Sequence, residues 1–96
     1  MGAYLSSNGP YCASHTPATA LSGVYAIPAV HFSAAGAFSN TAPMEAYRGA
    51  GKPEANYIIE MMIEAAADDT GLDAQALRER YAIRDLPHRS ALGQDI

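Results

Sequence analysis

The residues with the clearest chemical potential surround two glycines near the middle of the chain. Gly49 and Gly51 are separated by one residue, and glycine allows backbone angles that a Cβ would forbid. Arg48 and Lys52 place a positive charge on either side of them. Pro53 follows, and proline suits the first position of a helix, where its missing N–H costs no hydrogen bond. Free amides, a helix N-terminus and two cations predict an anion-binding corner; the alternative is a tight turn with solvated charges.

Two common phosphate-binding motifs are excluded at this loop. A Walker A loop has Ser or Thr after its lysine, whereas Pro53 follows Lys52 here. The dinucleotide-binding fingerprint has a third glycine, whereas the spacing from Gly49 and Gly51 places Glu54 at that position. Neither motif therefore identifies the anion.

The other candidate groups stand alone in the sequence. Cys12 could act as a nucleophile, but a lone cysteine in a stretch rich in Ser, Thr and Pro is more typical of an incidental residue. His31 could bind a metal or carry a proton, yet His15 and His88 are not at metal-ligand spacing from it. We therefore interpret His31 as a residue on the polar face of a strand and expect no metal site.

The order of patterns along the chain predicts an α+β fold, with short strands before a glycine loop and two helices. Apolar residues alternate over 29–39, which indicates a strand, and residues 3–6 are a second strand candidate. Residues 11–20 mix Ser, Thr, Pro and Ala without a period and indicate a loop. The expected organisation is one partial domain over 1–96: strands and loops in 1–45, the glycine loop in 46–52, helices in 53–70 and 74–81, and a tail in 82–96.

The two predicted helices have recognisable ends. Pro53 suits the start of the first helix, Gly71 is typical of a residue just after a helix, and Asp73 is a capping residue for the second. A narrow polar stripe recurs every fourth residue along the first helix, at Asn56, Glu60, Glu64 and Asp68. The apolar arc that remains is wide, which indicates burial on several sides.

Composition and charge exclude several classes of protein. The net charge is −4 and the six basic residues are mostly scattered, which argues against a nucleic-acid partner. No run approaches the ~20 apolar residues of a membrane-spanning helix, and the N-terminus lacks the basic and apolar regions of a signal peptide. A single cysteine cannot form an internal disulfide. We therefore expect a cytoplasmic protein without a membrane partner.

Three segments of the sequence together resemble a known family. They are Gly2-Ala3-Tyr4-Leu5-Ser6, the stretch from Leu21 to His31, and Ala46-Tyr47-Arg48-Gly49-Ala50-Gly51-Lys52-Pro53-Glu54-Ala55. These segments resemble the xanthine dehydrogenase/aldehyde oxidase family, and more narrowly the large, molybdenum-binding subunit of its carbon-monoxide-dehydrogenase-like branch. The similarity extends from Gly2 to about Gly93, and the last segment is its most specific part.

The resemblance implies a molybdenum hydroxylase that oxidises a small carbon substrate with oxygen from water. In such relatives the large subunit holds a molybdopterin cofactor, usually the cytosine dinucleotide form in bacteria. Electrons leave through an iron–sulfur small subunit to a medium subunit that carries FAD. The cofactor-binding residues implied here are those of the glycine loop, Tyr47, Arg48, Gly49, Ala50 and Gly51. Arg48 would contact the ligand sphere of the metal, and the residues after it would line the substrate side.

The sequence departs from these relatives within the loop. Carbon monoxide oxidisers carry Cys-Ser-Phe where Gly49-Ala50-Gly51 stand, so the resemblance implies a different substrate. Xanthine and aldehyde oxidisers carry an aromatic residue at the position of Ala50, and its absence disfavours a purine. Lys52 replaces a usual arginine, which exchanges a planar fork of donors for a point charge.

The general base of the family is also missing from these residues. It is a glutamate in a Gly-Glu-Pro-type motif, which does not occur in the sequence. We therefore expect the chain to be a fragment of a molybdopterin-binding domain, inactive alone, that works with the remainder of a large subunit. The alternative is a non-catalytic binding or assembly module that docks on the partner subunits, since exposed apolar helix faces usually mark interfaces.

Overall fold

The computed structural model describes residues 1–96 and contains four helices and no strand. The helices are α1 (Gly9–Ala13), α2 (His15–Ala20), α3 (Lys52–Thr70) and α4 (Ala74–Tyr81). Two isolated β-bridges pair Tyr25 with Ala82 and Arg89 with Asp95. The prediction of an α+β fold is therefore wrong, because the ordered elements are all helical. None of the helices combines the length and the apolar character needed to cross a membrane.

Both predicted strands, 3–6 and 29–39, are irregular segments in the structure. The alternation over 29–39 did identify a half-buried face, because Val30 and Phe32 are half-buried while His31 is exposed. Residues 29–36 nevertheless make no backbone hydrogen bond. A strand needs a neighbour that pairs with its N–H and C=O groups, and the chain supplies none along this stretch.

The chain start and the end of the second segment do lie side by side. The N-terminal ammonium donates to the Ala37 carbonyl at 3.0 Å. The Ser39 amide donates to the Gly2 carbonyl at 2.9 Å, and the Ala3 amide donates to the Thr41 carbonyl at 3.1 Å. These three contacts fix the path of the chain into the glycine loop without forming a sheet.

The prediction of a loop over residues 11–20 is also wrong, because α1 and α2 occupy most of it. Pro10 and Pro17 lie in the first turns of α1 and α2, where a proline removes no intrahelical hydrogen bond. The Ser14 hydroxyl donates to the Pro10 carbonyl at 2.6 Å. Residues that resemble helix breakers in the sequence therefore occupy helix ends, and helices this short show no hydrophobic period.

The two longer helices agree with the prediction. α3 begins one residue before the expected start and ends at Thr70, where Gly71 adopts a φ of 69°. α4 has the predicted bounds, and the Ala76 amide donates to Asp73 Oδ2 at 2.8 Å as an N-cap. These ends could be predicted because each depends on local chemistry: proline in a first turn, glycine after a last turn, and a carboxylate cap.

α3 buries a narrow stripe and leaves most of its apolar arc exposed. Ala55, Ile59 and Ala67 are buried, at spacings of four and eight residues. The exposed apolar residues of α3 are Tyr57, Ile58, Met61 and Met62, which we call the outer face of α3. The expectation of burial on several sides is therefore wrong within these residues, and the core contains no large side chain that is fully buried.

A polar network centred on Glu60 joins α3, α4 and the segment that follows α2. The Tyr25 hydroxyl donates to Glu60 Oε1 at 2.6 Å. Arg78 of α4 donates from Nε to Glu60 Oε2 at 2.8 Å and from Nη2 to Glu64 Oε1 at 2.5 Å. One arginine therefore pairs with two carboxylates one turn apart, and a buried tyrosine completes the network.

Backbone contacts reinforce this network on the same side of α4. The Ala26 amide donates to the Tyr81 carbonyl at 2.7 Å, and the Ile83 amide donates to the Val24 carbonyl at 2.9 Å. The segment around Tyr25 is thus attached to the end of α4 by its main chain and to α3 by its hydroxyl.

The network shifts the ionisation of its members. The pKa of Glu60 lies below its ordinary value of 4.5, first because the Tyr25 hydroxyl donates to the carboxylate and second because Arg78 does. The pKa of Tyr25 lies above its ordinary value of 10.0, first because of burial and then because its hydroxyl donates to Glu60. At neutral pH the folded chain therefore has an ionised Glu60 and a protonated Tyr25.

Gly51 brings α1 and α2 against the start of α3. A Cβ at this position would lie 2.2 Å from the Cys12 carbonyl oxygen and 2.9 Å from Pro17 Cδ. The residue also has a φ of 95°, which side chains disfavour. Glycine is therefore required here by the close approach of the backbone of α1 as well as by the positive φ.

Protonation of Glu60 is expected to loosen the junction between α3 and α4. A carboxyl group whose pKa is lowered by folding stabilises the fold above its unfolded-state pKa, and that stabilisation is lost as the pH falls through the lower folded-state value. Amide hydrogen exchange of α4, corrected for intrinsic rates, should accelerate as the pH falls below about 4.5. Glu60→Gln should accelerate it already at neutral pH and remove most of the pH dependence. Glu79→Gln is the control, and a Glu60→Gln profile like that of the unmodified chain would contradict the role of the network.

Alanine at Gly51 should destabilise the fold more than alanine at Gly71. Both glycines have positive φ, but a Cβ at Gly71 would meet no atom within 4 Å. Gly71→Ala should cost about 1–2 kcal/mol of unfolding free energy from its backbone angle alone. Gly51→Ala should cost about 1–3 kcal/mol more, because the methyl group overlaps the Cys12 carbonyl. Urea unfolding of both variants measures the difference, and equal losses would show that the contact is not required.

Candidate functional site

The predicted anion loop is a compact turn with an unusual backbone. Gly49, Ala50 and Gly51 have φ values of 97°, 46° and 95°. The Ala50 amide donates to the Tyr47 carbonyl at 2.7 Å, and the Lys52 amide donates to the Gly49 carbonyl at 3.0 Å. Three successive positive φ values fold the chain back on itself immediately before α3. We refer to residues 47–51 as the loop.

The loop presents hydrogen-bond donors that have no partner within the chain. The amides of Arg48, Gly49 and Gly51 donate to no protein acceptor. The Arg48 side chain makes neither a hydrogen bond nor an ion pair, and it is exposed. The Tyr47 side chain is 86% exposed. The guanidinium and the amides of the exposed residues Arg48 and Gly49 are therefore available to an external acceptor, whereas Gly51 is buried.

These groups share a cleft of about 270 Å³ with two carboxylates and a thiol. Its lining residues are Cys12, Glu45, Tyr47, Arg48, Ala50, Gly51, Pro53 and Glu54. The structure thus brings together all the predicted loop residues except Gly49, whose free amide lies between two of them. It adds Cys12 and Glu45, which the sequence did not assign to the site.

Glu45 is exposed but structurally engaged. Its Oε1 accepts hydrogen bonds from the Ala46 amide at 2.9 Å and from the Asn8 amide at 3.2 Å. The pKa of Glu45 is lowered, first by the Ala46 amide and further by the Ser6 hydroxyl and nearby amides, against a smaller opposing effect of burial. It forms no ion pair with Arg48. Its position next to the loop was the one sequence signal that could have identified it.

Lys52 does not belong to this cleft. It lines a separate cavity of about 300 Å³ with residues of α2 and the segment after it, including Thr19, Ser22 and Gly23. The prediction that Arg48 and Lys52 bracket one site is therefore wrong. The turn between them reverses the chain and sends the two side chains to different surfaces.

The N-terminus of α3 is also less open than predicted. The Lys52 amide is bonded to Gly49, Pro53 has no amide hydrogen, and the Ala55 amide donates to the Gly51 carbonyl at 3.1 Å. Only the Glu54 amide in this turn lacks an acceptor. The available donors are therefore mostly those of the loop, not those of the helix.

No cluster of three or more His, Cys, Asp or Glu side chains is arranged to hold a metal ion. Cys12 is half-buried at the wall of the cleft, and His31 is exposed on the irregular segment before the loop. The loop therefore offers backbone hydrogen-bond donors and one cationic side chain, that of Arg48.

The donor set suits a group that carries anionic oxygens. Free amides and a guanidinium donate to such oxygens, and neither can ligate a metal directly. The half-buried Ala50 adds only a methyl group between the two glycines, and the exposed Tyr47 is the one aromatic residue of the loop. The residues present therefore fit an oxo-anionic cofactor that is contacted through its oxygens.

The sequence was compared with known proteins. Residues 1–82 match the family described as molybdopterin cofactor-binding domain, which includes the loop, α3 and α4. No curated protein matches the chain. Because the family match covers most of the chain and contains the whole cleft, the chain belongs to the molybdopterin cofactor-binding domain family.

Proposed function

We propose that the chain forms part of the large subunit of a molybdenum hydroxylase of the xanthine dehydrogenase/aldehyde oxidase type, in the carbon-monoxide-dehydrogenase-like branch. The observation that carries the proposal is the loop itself: an unpaired Arg48 lines a cleft beside loop amides that have no protein acceptor, in a chain of a molybdopterin-binding family. The proposed reaction transfers oxygen from water to a small carbon substrate. Electrons then pass to an iron–sulfur small subunit and an FAD-containing medium subunit in the cytoplasm.

The residues proposed to hold the cofactor are Tyr47, Arg48, Gly49, Ala50 and Gly51. When bound, a molybdopterin cofactor, proposed here as its cytosine dinucleotide form, supplies the two-electron oxidation. Arg48 would donate charge-assisted hydrogen bonds to its oxygens, and the free amides of the loop would add neutral ones. Donors that are fixed before the reaction stabilise negative charge as it develops, without having to reorganise.

The small side chains at positions 49–51 indicate which class of substrate the cleft could accept. Ala50 offers only a methyl group where relatives carry an aromatic residue, and Gly49 and Gly51 add no side chain. A stacked purine would have no aromatic partner at positions 49–51. We therefore propose a small carbon substrate other than carbon monoxide or a purine.

The outer face of α3 supports the proposal that further parts of a large subunit cover this chain. Its four apolar side chains are between 42% and 67% exposed, and they lie on the helix that begins at the loop. A contiguous apolar surface of this kind usually marks an interface.

The same face favours a second candidate function, a non-catalytic module that docks on the iron–sulfur or FAD subunit. Co-purification separates the two. A tagged chain should retain neither partner subunit if it functions only inside a complete large subunit. Retention of either subunit in stoichiometric amount would favour the docking module.

Purified alone, the chain is expected to contain no molybdenum. The loop supplies only one side of a cofactor site, and the catalytic glutamate of the family is not among these residues. Elemental analysis of the purified chain measures this, with a complete large subunit as the positive control. A stoichiometric amount of molybdenum in the isolated chain would contradict the proposal that it needs the remainder of the subunit.

Arg48→Ala should reduce turnover far more than Lys52→Ala in a complete large subunit assembled with its partners. Loss of one preorganised donor beside developing negative charge typically lowers kcat by about 10²–10³. Lys52 lines the other cavity, so its removal should have a much smaller effect. Steady-state kinetics on both variants, at equal molybdenum content, test the difference. Equal small losses would show that the loop is only a turn.

A further inference from the structure

We propose that Glu45 is a positioning residue for the loop, holding its start to the same short helix that holds its end. The contact at the start is the pair of hydrogen bonds from the Ala46 and Asn8 amides to Glu45 Oε1. Asn8 is the N-cap of α1, so the carboxylate joins the beginning of the loop to the beginning of that helix.

Further contacts join the start of the loop to the turn before α1. The Ser6 hydroxyl donates to the Met44 carbonyl and accepts the Gly9 amide at 3.1 Å. A Cβ on Gly9 would lie 2.2 Å from the Met44 carbonyl oxygen, so only glycine allows this approach. Met44 and Glu45 are therefore both docked on the turn that leads into α1.

The end of the loop is attached to α1 one turn further along. Gly51 packs directly on the carbonyl of Cys12, and the Cys12 amide itself donates to the Asn8 carbonyl at 3.2 Å. The two attachment points, Asn8 and Cys12, are thus joined by one helical turn. At 1.5 Å per residue they are only about 6 Å apart along the helix axis.

This spacing dictates the shape of the loop. The five steps along the chain from Ala46 to Gly51 could span about 17 Å if extended, nearly three times the separation of the anchors. The chain must fold back on itself between them, as the three positive φ values record. Release of the anchor at Glu45 would remove that requirement, and the position of Arg48 in the cleft would no longer be fixed by the path of the loop.

The charge of Glu45 acts on the backbone and not on Arg48. Its carboxylate lies in the same cleft but forms no ion pair, so it leaves the guanidinium available. The two amides that it accepts lower its pKa, which keeps it ionised at neutral pH and keeps both hydrogen bonds charge-assisted.

Hydrogen exchange of the 96-residue chain tests the positioning role. Glu45→Ala should accelerate exchange of the Ala50 and Lys52 amides roughly tenfold, because loss of both hydrogen bonds frees the start of the loop. Glu45→Gln keeps an oxygen that can accept both amides and should restore most of the protection. Glu54→Gln is the matched control for this measurement, since Glu54 lines the same cleft but makes no hydrogen bond, and it should leave the loop unchanged.

Exchange in α4 distinguishes a local effect from general unfolding. If Glu45→Ala also accelerates exchange in α4, the positioning role requires that the Ala50 and Lys52 amides lose more protection than the α4 amides of the same variant. Unchanged loop exchange in Glu45→Ala, or loop exchange in Glu45→Gln that is as fast as in Glu45→Ala, would overturn the positioning role.

The effect on turnover rests on the proposed function and has its own measurement. In a complete large subunit, Glu45→Ala should lower kcat roughly 10- to 100-fold through misplacement of Arg48, and Glu45→Gln should recover most of the loss. If loop exchange rises while kcat is unchanged, the loop does not serve turnover and the proposed function is wrong. If kcat falls without a change in loop exchange, Glu45 acts in another way and the positioning role is wrong.

Discussion

The ion-pair and hydrogen-bond network around Glu60 is the interaction on which the arrangement of this chain depends. Only five apolar residues are buried, and none of the large side chains is fully removed from solvent. Hydrophobic burial alone therefore supplies little of the tertiary organisation. Arg78 and Tyr25 bind the two oxygens of one carboxylate, so α4 and the segment after α2 are both fixed to the middle of α3. These contacts fix the rotation of α3 about its axis, and thereby the orientation of its first turn and of the loop before it.

A second constraint acts at the other end of α3 and explains how so small a core can define a site. The loop is attached to α1 through backbone groups at both of its ends, and the attachments require the absence of a side chain at Gly9 and Gly51. Backbone contacts of this kind do not depend on burial of large side chains. The direction of Arg48 is thus set by the path of the main chain, while the side chain itself remains without a protein partner. A site built in this way can present free donors and still be well defined.

The parts of this structure that the sequence predicted are those determined within a few residues. Pro53, Gly71 and Asp73 mark helix ends by local chemistry, so the predicted bounds of α3 and α4 were correct almost to the residue. The strands were wrong because pairing depends on a distant neighbour, and residues 29–36 have none. Lys52 was misplaced because its side chain depends on how the turn at Gly49 to Gly51 reverses the chain. Cys12 lies far from the loop in sequence, so only the fold could bring it there.

For anion binding, the backbone amides of the cleft matter more than the two cations on which the sequence analysis relied. With Lys52 on another surface, the cleft contains one guanidinium against two carboxylates, so its formal charge does not favour an anion. Glu45 is, however, already bonded to two amides, which disperse its charge into the backbone. Glu54 lies in the first turn of α3, where the positive end of the helix dipole stabilises a carboxylate and partly offsets its charge. The groups of the loop that remain for an anion are therefore the Arg48 guanidinium and the amides without a protein acceptor. A group with anionic oxygens would be selected by oriented hydrogen bonds more than by net charge, which is a basis for specificity between oxo-anionic ligands of similar charge.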